Sequence, residues 1–441
     1  MKKLLTLLLT LVLLTTAFVS CGNNGNPPSN APEQSQPNSN GDSTTDGNET
    51  TDGEGTTDGN ETTDGEDTTD GNSEATYSQG LYFELHNDNS SYYLSSVGTC
   101  KDSEVIIPAE YNNLPVTSIA AYAFENCTWI TKVTIPESVT DISHNSFKNC
   151  PNAVETQDGV TYIGKWLLEC DTNVANVAIR ENTIGIAEWA FWGCNQITEV
   201  VIPDSVKYMN MVFRECSSLK SVTLPNGLTK IGRFDGCPAL EFVTIPNSVK
   251  TIGDGAFYGC SSLSTITLPE GLTTIEDSAF YNCSSLVSIS IPDSVVSLGH
   301  SAFSNCGSLK NVKLSNSLTT IESSLFSMCF ALESIEIPES VTCIKDNAFN
   351  MCSNITNICL PDSVTGVGEG AFEYCNGLSS ITMGNGITEF PSDLFSGCIK
   401  LKTIEFKGTK TEWENIVKDT TWNYDVSGCT VKCTDGDITI R

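Results

Sequence analysis

Histidine and positive charge are the scarcest resources of this 441-residue chain: it has three histidines, His86, His144 and His300, and 23 lysines and arginines against 54 aspartates and glutamates. So few imidazoles leave little material for acid–base or metal chemistry at neutral pH. A net charge of −31 repels phosphate backbones, so nucleic acid is not expected as a partner. There is no C-x-x-C pair, which argues against zinc. Neither G-x-S-x-G nor H-E-x-x-H occurs. Gly366-Val367-Gly368-Glu369-Gly370 is glycine-rich but lacks the six-residue phosphate-binding fingerprint. No catalytic residue and no cofactor are therefore expected, and the chain reads as a non-enzyme. Long apolar runs are missing too. The longest, Leu4 to Val19, is interrupted only by threonines and falls short of the roughly 20 residues that span a bilayer.

That run follows Lys2 and Lys3 and ends at Phe18-Val19-Ser20-Cys21-Gly22. It has the charged start, short apolar stretch and small-residue end of a signal peptide. Its end resembles the lipobox of bacterial lipoproteins, with Phe18 where leucine is usual. The resemblance implies cleavage after residue 20, lipidation of Cys21, and a membrane contact made through the lipid anchor alone. Residues 21–76 then read as a disordered acidic stalk. Residues 22–80 hold 13 acidic and no basic side chains, and T-T-D-G recurs five times from Thr44 to Gly71. With no large apolar residue before Tyr77, nothing offsets the entropy of ordering. Calcium binding would need the alternating oxygen ligands and closing glutamate of an EF-hand loop, which are absent.

What the chain has in abundance is periodicity. Cys127, Cys150, Cys194, Cys216, Cys237, Cys260, Cys283, Cys306, Cys329, Cys352, Cys375 and Cys398 are spaced by 21 to 23 residues, apart from one gap of 44. A phenylalanine stands three residues before each. The unit reads L-x-x-I-x-I-P-x-S-V-x-x-I-G-x-x-A-F-x-x-C. Apolar residues six and eight after the cysteine alternate with polar ones, which is the period of a half-buried strand. Asn or Gly precedes eight of the twelve cysteines, and this predicts a left-handed backbone turn there. The 44-residue gap is expected to hold two units, the second regular (Val174, Val177, Ile179, Ile186) and the first divergent around Val160–Trp166, with a small hairpin. A unit of this length with a strand and tight corners is one turn of a β-rich solenoid, here about 13 units of 21–23 residues. A single coil cannot stand alone. Its six large apolar side chains gain about 10–15 kcal/mol on burial, against about 25–45 kcal/mol to order its backbone.

Both ends of the stack need covers. Residues 77–126 read as an N-terminal cap and first coil, 127–404 as the solenoid, and 405–441 as a C-terminal cap. In the last, Trp413, Ile416 and Val417 are expected on one side of a short helix, before a strand Cys429–Cys433. The repeat, the Leu114-Pro115-Val116 entry and Val431-Lys432-Cys433-Thr434-Asp435-Gly436 strongly resemble the BspA-type leucine-rich repeat surface proteins. That resemblance implies a curved β solenoid and a role in adhesion or host-protein binding, without family-wide ligand residues.

The ladder cysteines are expected as reduced, buried thiols behaving as small hydrophobes, because stacked side chains about 4.8 Å apart do not suit a disulfide. Cys100, Cys170, Cys343 and Cys359 lie off the ladder. Binding candidates are on the surface. Seven residues after ladder cysteines stand Thr134, Thr223, Thr244, Thr267, Ser290, Lys313, Glu336 and Thr382, on the outer side of the strand. Trp192, Tyr258 and Tyr281 stand two before their cysteines on a coil edge, with Tyr258 and Tyr281 as stacked neighbours. The expected ligand is a host or neighbouring-cell protein. The alternatives are a carbohydrate-capturing surface lipoprotein, with a glycan held on those rings, and a passive spacer.

Overall fold

The computed structural model describes residues 77–440, together with the backbone of a two-residue strand, Val19–Ser20. Cys21 and the T-T-D-G repeats lie outside the described residues. After an N-terminal hairpin the chain winds into a parallel β solenoid with two short strands in most regular coils, the coil from Cys260 to Cys283 having only the second, Thr274–Ile275. Ser288–Ser290 pairs in parallel with Asn311–Lys313 and then with Ser334–Ile335. Thr251–Ile252, Thr274–Ile275 and Ser297–Leu298 form the second ladder in the same way. A three-residue strand of the regular coils buries only its middle side chain, as Ile289 and Val312 show, so the period-two pattern of the repeat sets which face turns inward. The proline that follows opens a tight turn: Val295 N–H donates to the Pro292 carbonyl (3.0 Å).

The corner between second strand and cysteine has no regular secondary structure, yet it stacks as strictly as the strands. All twelve residues preceding a ladder cysteine have positive φ, Asn or Gly in eight coils but also Glu215, Met328, Met351 and Tyr374. A second left-handed residue, two before the phenylalanine, is not apparent from composition, being Ser278, Ser301, Ser324, Asn347, Gly370 and Asp393 in successive coils. Alternating the two backbone hands turns every second N–H along the stack. Ser278, Phe280 and Asn282 donate to the carbonyls of His300, Ala302 and Ser304 of the next coil (2.8–2.9 Å). The N–H groups between them stay within the coil, Tyr281 donating to Ser278 (3.0 Å) and Cys283 to Phe280 (3.2 Å), so the corner leaves none of these donors unpaired.

Inside, the phenylalanines form a continuous column from Phe191 to Phe395, with ring centroids 5.0 to 5.8 Å apart and planes nearly parallel. The ladder cysteines are buried free thiols beside it. They are more than small hydrophobes: Cys283 Sγ donates to the carbonyl of Phe257 in the preceding coil (3.2 Å), and Cys306, Cys329, Cys352, Cys375 and Cys398 repeat the bond at 3.0 to 3.2 Å. That carbonyl also accepts the Cys260 N–H (3.1 Å) of its own coil. The thiol therefore fills a second lone pair that would otherwise be stranded in the core. Cys100, expected off the ladder, makes the same turn, its N–H donating to the Val97 carbonyl (3.1 Å), and is buried.

The ends are closed by hairpins. Tyr82–Leu85 and Tyr92–Ser96 pair antiparallel ahead of the first coil, and Cys429–Cys433 and Gly436–Ile440 do so after the last. The helix Lys410–Asn415 starts on a Thr409–Glu412 capping box and buries Trp413. The expected apolar helix side holds for Trp413 and for buried Ile416, which caps the helix, but not for Val417. That residue begins the strand Val417–Lys418, paired with Glu389–Phe390, and is exposed because the edge strand turns it outward. No helix among the described residues is long and apolar enough to cross a membrane.

Candidate functional site

Among the described residues, the 44-residue gap in the cysteine periodicity is also where the core divides in two. Between Cys150 and Cys194 the divergent unit forms the expected hairpin, Val160–Ile163 against Trp166–Cys170, with Glu155–Gln157 as its outer strand. Alternate hairpin residues go to different clusters: Ile163 and Trp166 pack with the N-terminal coils, Tyr162 and Leu167 with the rest. The following unit, regular in sequence, has no strand between Cys170 and Gly185, and Val174 and Val177 are only half-buried. No Phe-x-x-Cys corner exists here. Among the described residues Phe147 stacks on Phe124 and Phe191 on Phe213, and no ring contact joins Phe147 to Phe191.

A cleft of about 430 Å³ opens where that corner is missing. Its lower wall is the corner of the Cys150 coil, including Ser143, Asn145, Lys148 and Asn149, and its other walls include Val154, Thr156, Thr161, Leu168 and Glu169. Across the gap the next corner rests directly on the earlier coil, Glu188 N–H donating to the Ile142 carbonyl (2.9 Å). An aromatic row results. His144 stacks on Trp189 with centroids 4.0 Å apart, Tyr122 meets His144 edge-on, and Trp192 lies 6.0 Å from Trp189. Lys148 sits over the Tyr122 ring and Arg214 over Trp189. Tyr122 and Trp189 both occupy the left-handed corner position (φ +61° and +58°) that glycine, Asn, Ser, Asp and Met fill in other coils. For a side-chain-bearing residue this conformation costs roughly 1–2 kcal/mol. Beside the row, burial and the charge of Glu188 push Asp141 up to about 7, and burial raises Glu188 as well.

The edge aromatics predicted from sequence divide between two places. Tyr258 and Tyr281 stack at 4.9 Å, with Tyr258 44% exposed. Trp192, 53% exposed, belongs instead to the aromatic row and donates its Nε1–H to Glu215 (3.2 Å). Glu336 is exposed on the strand face, well away in sequence register from either cluster. Of the outward row, Thr134, Thr223, Thr244, Thr267, Ser290, Lys313 and Glu336 are exposed and Thr382 is half-buried. Parallel register sets Thr223 beside Thr244 and Ser290 beside Lys313. Among the described residues no group of three or more His, Cys, Asp or Glu is placed to hold a metal ion.

The sequence profile described as a BspA type Leucine rich repeat region (6 copies) matches residues 117–234, 232–356 and 319–417, well over half of the chain. The chain belongs to the BspA-type leucine-rich repeat family. Its fold is shared with a leucine-rich repeat protein from Bacteroides ovatus ATCC 8483, 24% identical, over 80% of this chain and 98% of that one, at a TM-score of 0.51. Two further similar structures are a leucine rich cell surface protein from Faecalibacterium prausnitzii A2-165 (27% identical, 79% and 99% covered, TM-score 0.33) and a leucine-rich repeat protein from Eubacterium ventriosum ATCC 27560 (21%, 82% and 99%, TM-score 0.38). Comparison with curated proteins finds no match. A BspA-type solenoid is in general an interaction scaffold, and no catalytic family matches this chain.

The outward row of this BspA-type chain also includes Cys359, exposed between Glu336 and Thr382 in the repeat. It should be the first described thiol to react. Burial holds Cys306 at about 12 against an ordinary 9.0, so below pH 9 its thiolate fraction is about a thousandfold lower than that of an ordinary thiol. Brief iodoacetamide treatment of native protein, read by peptide mass spectrometry, is expected to label Cys359 and leave Cys260 through Cys398 of the ladder unmodified. Labelling of ladder and exposed thiols at one rate would contradict the buried column.

Proposed function

We propose that this chain is an exported lipoprotein whose solenoid is displayed at the cell surface and binds a protein of the host or of a neighbouring cell. The observation that carries the reading is the outward row itself: side chains at one repeat position, mostly exposed, with Thr223–Thr244 and Ser290–Lys313 held in parallel register. Such a face offers a long surface to a macromolecule and little to a small metabolite. Binding would be distributed, with many small contributions and a few dominant side chains. Residues 81–441 carry 41 acidic and 21 basic side chains, a net −20, so a partner with a basic or neutral patch fits best and association slows as salt rises.

Display rests on Cys21 and the residues after it. Two or more acyl chains hold a protein on a bilayer stably, each buried CH₂ contributing about 0.8 kcal/mol. Cys21→Ala is expected to release the protein from the membrane fraction, while the unaltered protein takes up labelled fatty acid. A variant that stays membrane-bound, with no fatty acid on the unaltered protein, would refute the anchor. A second reading, capture of a carbohydrate, is favoured by the stacked Tyr258–Tyr281 pair, which presents an aromatic edge to solvent. Testing the protein on a glycan array beside an overlay of extracellular proteins separates the two, provided that any glycan signal is repeated with Tyr258→Ala and Tyr281→Ala, which abolishes it only if that pair is the capture site.

A further inference from the structure

We propose that the cleft left by the missing corner is a binding site for a neutral oligosaccharide. At about 430 Å³ it lies within the roughly 300–1,000 Å³ of small-ligand sites. It is the wrong scale for a protein surface but suits a short sugar chain. The chemistry of its walls is unlike that of the surrounding surface. Residues 81–441 are strongly acidic, yet the cleft is lined by a single cation, Lys148, and a single anion, Glu169. The other polar lining groups are hydroxyls and amides, among them Ser143, Asn145, Asn149, Thr156 and Thr161, set against apolar Val154 and Leu168. A ligand with many hydroxyls, no charge and apolar C–H faces matches that combination. An anion would meet Glu169 and the acidic body; a cation would meet Lys148.

The aromatic row is joined to this cleft through two of its lining residues. Asn145 Nδ2 donates to the Tyr122 hydroxyl (3.4 Å), and Lys148 Nζ lies 5.4 Å from the Tyr122 ring centre. Tyr122 is exposed and Trp192 more so, so flat rings continue the cleft along the coil edge, where a chain of sugars would lay its C–H faces. Backbone strain points to the same place. Tyr122 and Trp189 are the aromatics held at the left-handed corner position two before the phenylalanine, and both pack against His144, Trp189 from across the gap in the repeat. The left-handed turn recurs along the stack, and what sets these two coils apart is a bulky ring at a position that elsewhere carries Gly, Asn, Ser, Asp or Met. This inference does not rest on the outward row, so either can fail alone.

The test uses the full chain and four uncharged probes, maltohexaose, cellohexaose, xylohexaose and hexa-N-acetylchitohexaose, by isothermal titration calorimetry. At least one is expected to bind saturably. Thr156→Trp fills the cleft from an exposed edge-strand position, and should weaken that probe at least about tenfold. Asn149→Gly removes an amide while keeping the left-handed turn, and should weaken it severalfold. Tyr258→Ala with Tyr281→Ala should leave it within about twofold. If Thr156→Trp lowers the urea midpoint, Asn149→Gly decides. No saturable binding by any of the four probes overturns the proposal, as does binding that survives Asn149→Gly and Thr156→Trp or is lost with the two tyrosines.

Discussion

Raising the pH from 8 to 10 is expected to remove about 10 kcal/mol of folding stability, enough to unfold the solenoid without denaturant. Seven ladder thiols, Cys260 through Cys398, have pKa values raised by burial: Cys306 and Cys398 to about 12, and Cys260, Cys283, Cys329, Cys352 and Cys375 well above the ordinary 9.0. A thiol is neutral when protonated, so below pH 9 folded and unfolded chains both hold the proton and nothing is lost. Above pH 9 the unfolded chain releases it and the folded chain does not, so stability falls with pH up to about 12. Each group then contributes on the order of 1 kcal/mol of destabilisation at pH 10, and seven together on the order of 10. Typical total stabilities are roughly 5–15 kcal/mol. Far-ultraviolet circular dichroism against pH should show a steep loss above pH 9. Cys283→Ala with Cys306→Ala should make urea midpoints fall less steeply with pH by about the share of two thiols. Midpoints flat between pH 8 and 10 would show that the thiols are not held protonated in a buried column.

Phe280→Ala is expected to cost about 3–5 kcal/mol, the range for a buried phenylalanine whose site cannot collapse. The ring is fully buried between Phe257 and Phe303, with centroids 5.3 and 5.2 Å away. Inter-coil backbone bonds at Phe280 (to Ala302, 2.8 Å) and at the carbonyl that receives the Cys306 thiol (3.1 Å) hold the coils apart, so the cavity should persist. Tyr258→Ala, also in a stacked pair but on the exposed edge, should cost less than about 1 kcal/mol. Urea midpoints of the two variants make the comparison. A Phe280→Ala midpoint equal to that of the unaltered protein would place the column outside the core.

The fold was legible because the repeat writes the same answer many times. Phenylalanine three before cysteine, alternation after it and proline at the strand end each report one geometric event, and twelve copies turn weak local preferences into a firm register. What stayed hidden lacked such a signature. The second left-handed position is filled by Ser, Asn, Asp, Gly, Met and aromatics, and no residue preference exposes it. The thiol-to-carbonyl bond depends on which atoms face each other across coils, which spacing alone does not tell. Val417 was misplaced because helix periodicity was carried one residue past Ile416, where the chain already turns into an edge strand.

The candidate site was less legible for a related reason. The stacked pair Tyr258–Tyr281 follows from repeat arithmetic, as does the exposure of Glu336. Trp192 was correctly read as an edge aromatic, but its neighbours Trp189, His144 and Tyr122 come from coils that the 44-residue gap separates in sequence and the missing corner brings into contact. The signal that could have found them is the gap itself. A lost corner in a stacked array leaves either a void or a cleft, and the residues on either side of it are the ones to inspect.

Recognition of a macromolecule by the outward row of the solenoid is tested by titrating the purified protein onto an array of immobilised extracellular proteins. The comparison is between the unaltered chain, the Ser290→Arg, Glu336→Arg double variant, and a chain lacking residues 22–76. A saturable partner is expected, weakened at least about tenfold by the double variant and bound with unchanged affinity by the chain without its acidic segment. A partner whose binding survives the double variant and vanishes with residues 22–76 would contradict the claim and move recognition to the segment before the solenoid.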